Sequence, residues 1–122
     1  LRIEWYEDLF ADITSRYPIH LHALSPSEVL HIAKVSKLSL DETLARLRAA
    51  GHASLPGGGA EILVDRVRRV IAPRKTTTDE WLDVMRAAHR AGMSTTATMM
   101  YGTVDTWEDR VEHLRRLREV QD

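Results

Sequence analysis

The run Gly57-Gly58-Gly59 is followed two positions on by Glu61. Backbone without Cβ atoms lets a ligand come close, and amides at a helix start suit a carboxylate, a phosphate or a ribose oxygen. The same run also reads as a tight turn with a flexible tip. It lacks the Gly-Lys-Ser/Thr ending of a P-loop and the spacing of G-x-G-x-x-G. Glu61 either meets a polar ligand group or complements the amino end of the following helix. His20 and His22 share one face of a short alternating stretch, because strand side chains alternate. Such a pair can bind a divalent metal, as in metal-dependent hydrolase barrels, provided other strands add ligands. The third strand end offers only Asp105 beyond a turn. The plainer reading has His22 lining a site and His20 lying deeper. Met99-Met100-Tyr101-Gly102 suits an apolar cleft, where thioethers adapt to flat rings, or simply the core. His89 and His113 lie on helices among polar residues and are assigned no chemistry. Arg115-Arg116 and Arg118-Glu119 read as a solvated helix face.

These residues need elements to position them. Trp5, Leu9, Phe10 and Ile13 form one face of a helix over Ile3 to Arg16, stopped by Pro18. Ile19 to Leu24 alternates as a strand. Ser25-Pro26-Ser27-Glu28 opens a helix with a cap, a proline at the first turn and a capping-box acid. Ser39-Leu40-Asp41-Glu42 repeats the pattern, with Leu40, Leu44 and Leu47 on one face and Gly51 at the end. His52 to Leu55 is a second strand, and Ile62 to Ile71 a helix closed before Pro73. Thr77-Thr78-Asp79-Glu80 starts a helix with Trp81, Val84, Met85 and Ala88 inward. Ser94 to Met100 is a third strand. Thr106 to Asp109 caps a last helix whose face is Trp107, Val111, Leu114 and Leu117.

The strands start near Ile19, Ala53 and Ser94, about 34 and 41 residues apart. Strands alternating with helices at that spacing predict βα units and a parallel sheet. In such folds the chemistry sits at the strands' carboxyl ends. Here these are His22 to Ser25, Leu55 to Glu61 and Met99 to Asp105. Three strands cannot close a barrel and make a thin open sheet, so the expectation is a slice of a larger α/β fold. A first residue of Leu1 and helix-like sequence at both ends point the same way.

Composition narrows the function. Seventeen Lys and Arg against 18 Asp and Glu give a formal charge of −1, so no basic excess advertises nucleic acid or an anionic membrane. Apolar residues make up 43% and charged residues 29%, too apolar for a disordered chain. No apolar run reaches the roughly 18 residues of a membrane span. The absence of cysteine excludes disulfides, thiol nucleophiles and cysteine-bound metal centres within these residues. A cytoplasmic location is the default expectation.

Several segments together resemble one family. They are Ala23-Leu24-Ser25-Pro26, the stretch Ser54 to Leu63 (Ser-Leu-Pro-Gly-Gly-Gly-Ala-Glu-Ile-Leu), and Asp65-Arg66-Val67-Arg68. Further pieces are Trp81, Met85, Arg86, Ala88 and His89, then Thr95 to Gly102 (Thr-Thr-Ala-Thr-Met-Met-Tyr-Gly), Val111 to Leu114, and Gln121-Asp122. The chain is similar to radical S-adenosylmethionine (SAM) enzymes of the futalosine route to menaquinone. The cyclic dehypoxanthinyl futalosine synthase family is nearest, and aminofutalosine synthase and the deazaflavin-forming FO synthase subunit are siblings. Gly57-Gly58-Gly59 favours the menaquinone pair, and Ile62 to Arg68 favours the cyclic synthase.

The resemblance implies a partial (β/α)8 barrel of the radical SAM type, with three parallel strands and flanking helices. They would be barrel strands three to five of a single domain, with the Cys-x3-Cys-x2-Cys loop upstream. It implies S-adenosylmethionine and a [4Fe–4S] cluster whose ligands lie outside this chain. The implied reaction is cyclisation of dehypoxanthine futalosine through a 5′-deoxyadenosyl radical. Gly57, Gly58, Gly59 and Glu61 would meet polar groups of SAM or substrate. Thr98, Met100, Tyr101 and Gly102 would pack near the adenine. His22, Met99 and Asp105 would face the substrate, and Gly102 to Asp105 stands where many such barrels carry Gly-x-x-Glu. A piece with two open strand edges is expected to be inactive alone and to self-associate.

Overall fold

Side-chain caps set the helix starts. Ahead of a helix over Pro26–Ser36 (α2), the Ser25 amide and hydroxyl both donate to one Glu28 carboxylate oxygen, at 2.6 and 2.7 Å. Ser39 Oγ accepts the Glu42 amide at 3.2 Å and starts Leu40–Ala49 (α3). Thr77 and Glu80 exchange both bonds of a capping box at Thr78–Arg90 (α5). Thr106 and Asp109 do the same at Trp107–Gln121 (α6). Two further helices, Ile3–Arg16 (α1) and Asp65–Ile71 (α4), lack a side-chain cap. Instead, Ser36 Oγ of α2 accepts the buried Ile3 amide at 2.9 Å, which ties α1 to the layer beneath it.

A computed structural model describes residues 1–121. Three short parallel strands, Leu21–His22 (β1), His52–Leu55 (β2) and Ser94–Thr95 (β3), lie in the order β1-β2-β3. Leu21 is opposite His52 and His22 opposite Ser54, with an irregularity between the two pairs; Ser54 and Leu55 face Ser94 and Thr95. The expected α/β arrangement of parallel strands with flanking helices is present. Leu55 of β2 joins Val29, Leu44, Trp81, Leu82 and Met85 in the main core. A second cluster of Ile3, Phe10, Ile32 and Leu47 seats α1.

Three elements differ from expectation. The first strand is Leu21–His22 rather than Ile19 to Leu24, because Leu24 turns the backbone into the left-handed region (φ 60°). The third pairs only over Ser94–Thr95; beyond the Thr96 amide, which donates to the Leu55 carbonyl, residues 97 to 100 run on without a ladder. α4 starts at Asp65, not Ile62. The Leu63 amide is held by His113 Nδ1 at 3.0 Å, and Asp65 accepts the Thr78 amide, so Ile62 and Leu63 stay outside the helix and buried.

Two helix faces also turn out differently. Ile3 and Phe10 are the buried side of α1, while Trp5 and Leu9 are exposed. On α6, Trp107 is 75% exposed, with Val111 and Leu114 beside it in solvent. The inward side is instead Asp109, His113, Leu117 and Val120, an i, i+4, i+8, i+11 stripe. Asp109 closes the cap and pairs with Arg66, and His113 holds Leu63. Buried polar groups with distant partners set the rotation of α6. No helix among the described residues is long and apolar enough to cross a membrane.

Replacing Ser36 by Ala leaves the Ile3 amide buried and unpaired, which costs about 1–3 kcal/mol. The expected outcome is a lower midpoint in chemical denaturation. An unchanged midpoint would mean that α1 is not fastened at this point.

Candidate functional site

Because the strands are parallel, their carboxyl ends lie along one edge, and three connections meet there. The first is His22 to Ser25. The second is Pro56 to Leu63. The third runs from Thr96 to Thr106.

The second connection passes tightly against the third. The Gly57 amide donates to Thr96 Oγ1 and its carbonyl accepts from Thr98 Oγ1, each at 2.9 Å. A Cβ on Gly57 would lie 2.0 Å from the Thr96 carbonyl oxygen and 2.6 Å from Ala97 Cα, so only glycine permits this approach. Gly58 is different: its carbonyl accepts the Trp81 indole N–H at 3.2 Å, but its Cβ position is open, with the nearest atom 3.8 Å away. The turn reading therefore describes Gly57, while Gly58 has room for a side chain at ordinary contact distance from Ser25.

Behind this loop lies Arg68, 2% exposed, which forms no ion pair with a carboxylate among the described residues. Its guanidinium donates to the carbonyls of Gly59, Ala60 and Thr76. Glu61 sits at φ 47°; its carboxylate pairs with Lys75 and its carbonyl accepts the Met100 amide at 2.9 Å. His113 is fully buried. Desolvation, with the Arg68 cation second, pushes its pKa below the ordinary histidine value, partly opposed by the Thr98 carbonyl. Its Nδ1 accepts the Leu63 amide, so the neutral ring carries its proton on Nε2.

On the third connection, Met100 and Tyr101 are exposed and Met99 half-buried. Gly102 has φ 89° and nothing near its Cβ position. Asp105 accepts from Arg110 Nε and from the Thr103 amide, each at 2.7 Å. The Arg110 bond first, then the Thr103 amide, holds its carboxyl well below the usual carboxylate range. The same guanidinium stacks 5.0 Å from the Tyr101 ring centroid and 4.6 Å from the Trp107 centroid. Asp105 thus fixes the Gly102–Asp105 turn and orders Tyr101 through Arg110.

His20 Nε2 and His22 Nδ1 both lie 2.7 Å from Ser54 Oγ. One nitrogen of each ring is thus engaged by the serine, and the pair by itself would bring only two ligands to a metal. No cluster of three or more His, Cys, Asp or Glu among the described residues is arranged to hold a metal ion. The expected residues thus form separate groups on one edge: the histidine pair at β1, Gly57 with Thr98, Glu61 with Met100, and Asp105 with Tyr101. Sequence reasoning missed Arg68, His113 and Ser54 as organisers. Arg68 and His113 stand inside segments that carry the family resemblance, while Ser54's place opposite His22 follows from inter-strand register.

A sequence model described as the Radical SAM superfamily matches residues 1–117. The chain belongs to the radical SAM superfamily. It is 52% identical over 122 residues to a 5-amino-6-(D-ribitylamino)uracil–L-tyrosine 4-hydroxyphenyl transferase of Methanococcoides burtonii, covering 99% of this chain and 34% of that protein. A transferase of the same name from Methanothermobacter thermautotrophicus is 50% identical over 119 residues, covering 97% and 32%. The cyclic dehypoxanthine futalosine synthase of Streptomyces coelicolor is 46% identical over 121 residues, covering 98% and 30%. The chain spans about a third of the length of these relatives. Radical SAM membership implies S-adenosylmethionine and a [4Fe–4S] cluster. This cysteine-free chain supplies no thiolate to that cluster.

Two outcomes follow from the radical SAM chain's strand-end geometry. Gly57→Ala should lower stability by roughly 1–3 kcal/mol through overpacking, while Gly58→Ala should stay within about 0.5 kcal/mol; thermal melts of the pair distinguish them. For His113, the folded pKa lies below the unfolded one, so the unfolded chain binds more protons between the two values. Its contribution is fully present above the ordinary value of 6.5 and is lost as pH falls toward the lowered one. His113→Gln should flatten stability against pH in that window. An unchanged slope would remove His113 as its source.

Proposed function

We propose that this chain is the central part of a radical SAM (β/α)8 barrel, providing barrel strands three to five of a longer enzyme. The observation that carries the reading is the match of residues 1–117 to the superfamily, together with identity of 46–52% to relatives about three times as long. An open strand edge supports it. A cavity of about 460 Å³ runs along β3, floored by Trp81, Met85, Leu117 and Val120 and bordered by Ser94 to Ala97, as a neighbouring barrel strand requires. In isolation, the apolar stripe Trp107, Val111 and Leu114 and the open edges favour self-association.

The reaction is transfer of an aromatic fragment of tyrosine to 5-amino-6-(D-ribitylamino)uracil. The 52% and 50% identities of the transferases support it. Cyclisation of dehypoxanthine futalosine is the second reading, supported by 46% identity over 98% of the chain and by the family resemblance of the triple glycine. Bound SAM supplies, on reductive cleavage, the hydrogen-abstracting 5′-deoxyadenosyl radical. The residues present fit such a ligand. Gly58 offers backbone that a Cβ would cover, and Gly59 and Glu61 hold the left-handed turn that exposes it. Thr98 and Met100 form the neighbouring surface, with Tyr101 and Gly102 at its end. His22 and Met99 border the substrate space, whereas the Asp105 side chain, expected to face it, is shielded and spent on Arg110 and the Thr103 amide. Tyr101, braced by Arg110, offers a ring to shield a reactive carbon from water.

The test is anaerobic turnover by the full-length protein with S-adenosylmethionine and either tyrosine plus ribitylaminouracil or dehypoxanthine futalosine. The transferase reading expects 5′-deoxyadenosine and a coupled product from the first mixture only. Product from the second mixture alone would move the assignment to the cyclic synthase. No 5′-deoxyadenosine from either mixture would overturn both.

A further inference from the structure

His113 stands behind the strand-end edge and is fully buried by residues of this chain. Its surroundings therefore do not depend on how much further chain the full-length protein carries. Its Nδ1 accepts the Leu63 amide at 3.0 Å. Two residues before Leu63, the Glu61 carbonyl accepts the Met100 amide at 2.9 Å, and Ile62 between them is fully buried. The ring, the left-handed Glu61 turn and the Met100 amide thus form one line of contacts from α6 across the glycine loop to the extension of β3. Gly57 makes the other junction between the same two segments, through Thr96 and Thr98. The ring has a second group to offer. With Nδ1 accepting, the neutral imidazole carries its proton on Nε2, a buried donor that completes no hydrogen bond among the described residues. The Thr98 carbonyl acts on this ring, and a carbonyl acts on an N–H, which Nδ1 lacks; Nε2–H therefore faces Thr98. One rigid side chain, with acceptor and donor on separate ring atoms, reaches both connections.

We propose that His113 is a positioning residue that sets the register of the glycine loop, Gly57 to Glu61, against the Thr98 to Gly102 segment. Through that register it places the substrate's reacting carbon against bound SAM. The inference rests on the function proposed above for what the two segments hold. His113 itself touches neither ligand and exchanges no proton with them. It acts through the Leu63 amide, the Glu61 carbonyl and the Met100 amide in turn. Misplacement of reacting groups by an ångström is enough to lose most of a rate. A slip in this register therefore leaves SAM cleavage in place and lowers its yield of product.

The test compares the full-length protein with His113→Leu, which removes both nitrogens, and His113→Asn, which returns an amide oxygen near the place of Nδ1. Amide hydrogen exchange is the first readout and needs no turnover. His113→Leu should speed exchange at Leu63 and also at Met100, about fivefold or more at each, and His113→Asn should restore protection at both. The Met100 amide bonds to Glu61, not to the ring, so its exchange reports the register rather than the lost bond. In 15N-histidine spectra the unsubstituted ring should show Nε2 protonated and Nδ1 bare. In turnover, the ratio of 5′-deoxyadenosine to coupled product should rise about threefold or more in His113→Leu and fall back in His113→Asn. That ratio does not change with the fraction of enzyme that folds, so it separates positioning from stability. If His113→Leu fails to fold, His113→Gln, whose amide lies near the place of Nε2 and leaves the Leu63 amide unserved, takes its part in the comparison. Unchanged exchange at Met100, a protonated Nδ1, or one ratio across all variants would overturn the proposal. Absence of 5′-deoxyadenosine from the unsubstituted protein would instead count against the proposed function, leaving exchange and the nitrogen shifts to decide on His113.

Discussion

The passage of Gly57 across the backbone of Thr96 and Ala97 governs the rest of the strand-end edge. Two side-chain bonds from Thr96 and Thr98 grip the Gly57 amide and carbonyl, at a separation that leaves no room for a Cβ. That contact joins the end of β2 to the extension of β3 where the ladder has already stopped. Beyond it, the Met100 amide bond to the Glu61 carbonyl helps to hold residues 97 to 100 in line with the sheet. The sheet is short, with two strands of two residues and one of four, so its carboxyl edge is built by side chains more than by a ladder.

Once Gly57 is fixed, the chain must return to α4 through buried territory. Every backbone polar group on that path needs a partner. Arg68 satisfies the carbonyls of Gly59, Ala60 and Thr76, and His113 takes the Leu63 amide. Each is polar and almost wholly buried, and each reaches from a helix into the loop. An arginine offers donors in a fixed fork, which suits several carbonyls at once. A neutral histidine offers an acceptor, which an amide requires. The two sit close enough for the cation to disfavour protonation of the imidazole, so the same packing that supports the loop keeps His113 an acceptor.

The helices and the parallel α/β order were legible because caps and apolar periodicity are local signals, and here Ser25, Ser39, Thr77 and Thr106 all do what their spacing implies. The inward faces of α1 and α6 were not. Apolar periodicity on α6 points to Trp107, Val111 and Leu114, yet the helix turns its Asp109 and His113 inward because their partners, Arg66 and the Leu63 amide, lie far away in sequence. The division within the triple glycine was equally hidden. Which glycine needs to be glycine depends on a neighbouring strand, not on the run itself. At His20 and His22 the strand face was legible, but the serine between them was not, since its place follows from inter-strand register.

Two left-handed residues show where the edge departs from relaxed geometry. Leu24 and Glu61 have φ of 60° and 47° in the connections that follow β1 and β2, and a non-glycine residue in that conformation costs roughly 1–2 kcal/mol. Lys37 shares the conformation but closes α2, an ordinary place for it. Neither Leu24 nor Glu61 ends a helix. Leu24 reverses the chain just after β1, and Glu61 does so at the far end of the glycine loop that follows β2. Leu24 delivers the Ser25–Glu28 cap, while Glu61 turns its carbonyl to Met100 and its carboxylate to Lys75. Glycine would relieve the strain at either position and would lose those contacts or add backbone freedom. Strain of this kind persists only where surrounding bonds over-determine it. Here those bonds are the Ser25–Glu28 cap beside Leu24, and the buried Arg68 and His113 that hold the loop on either side of Glu61.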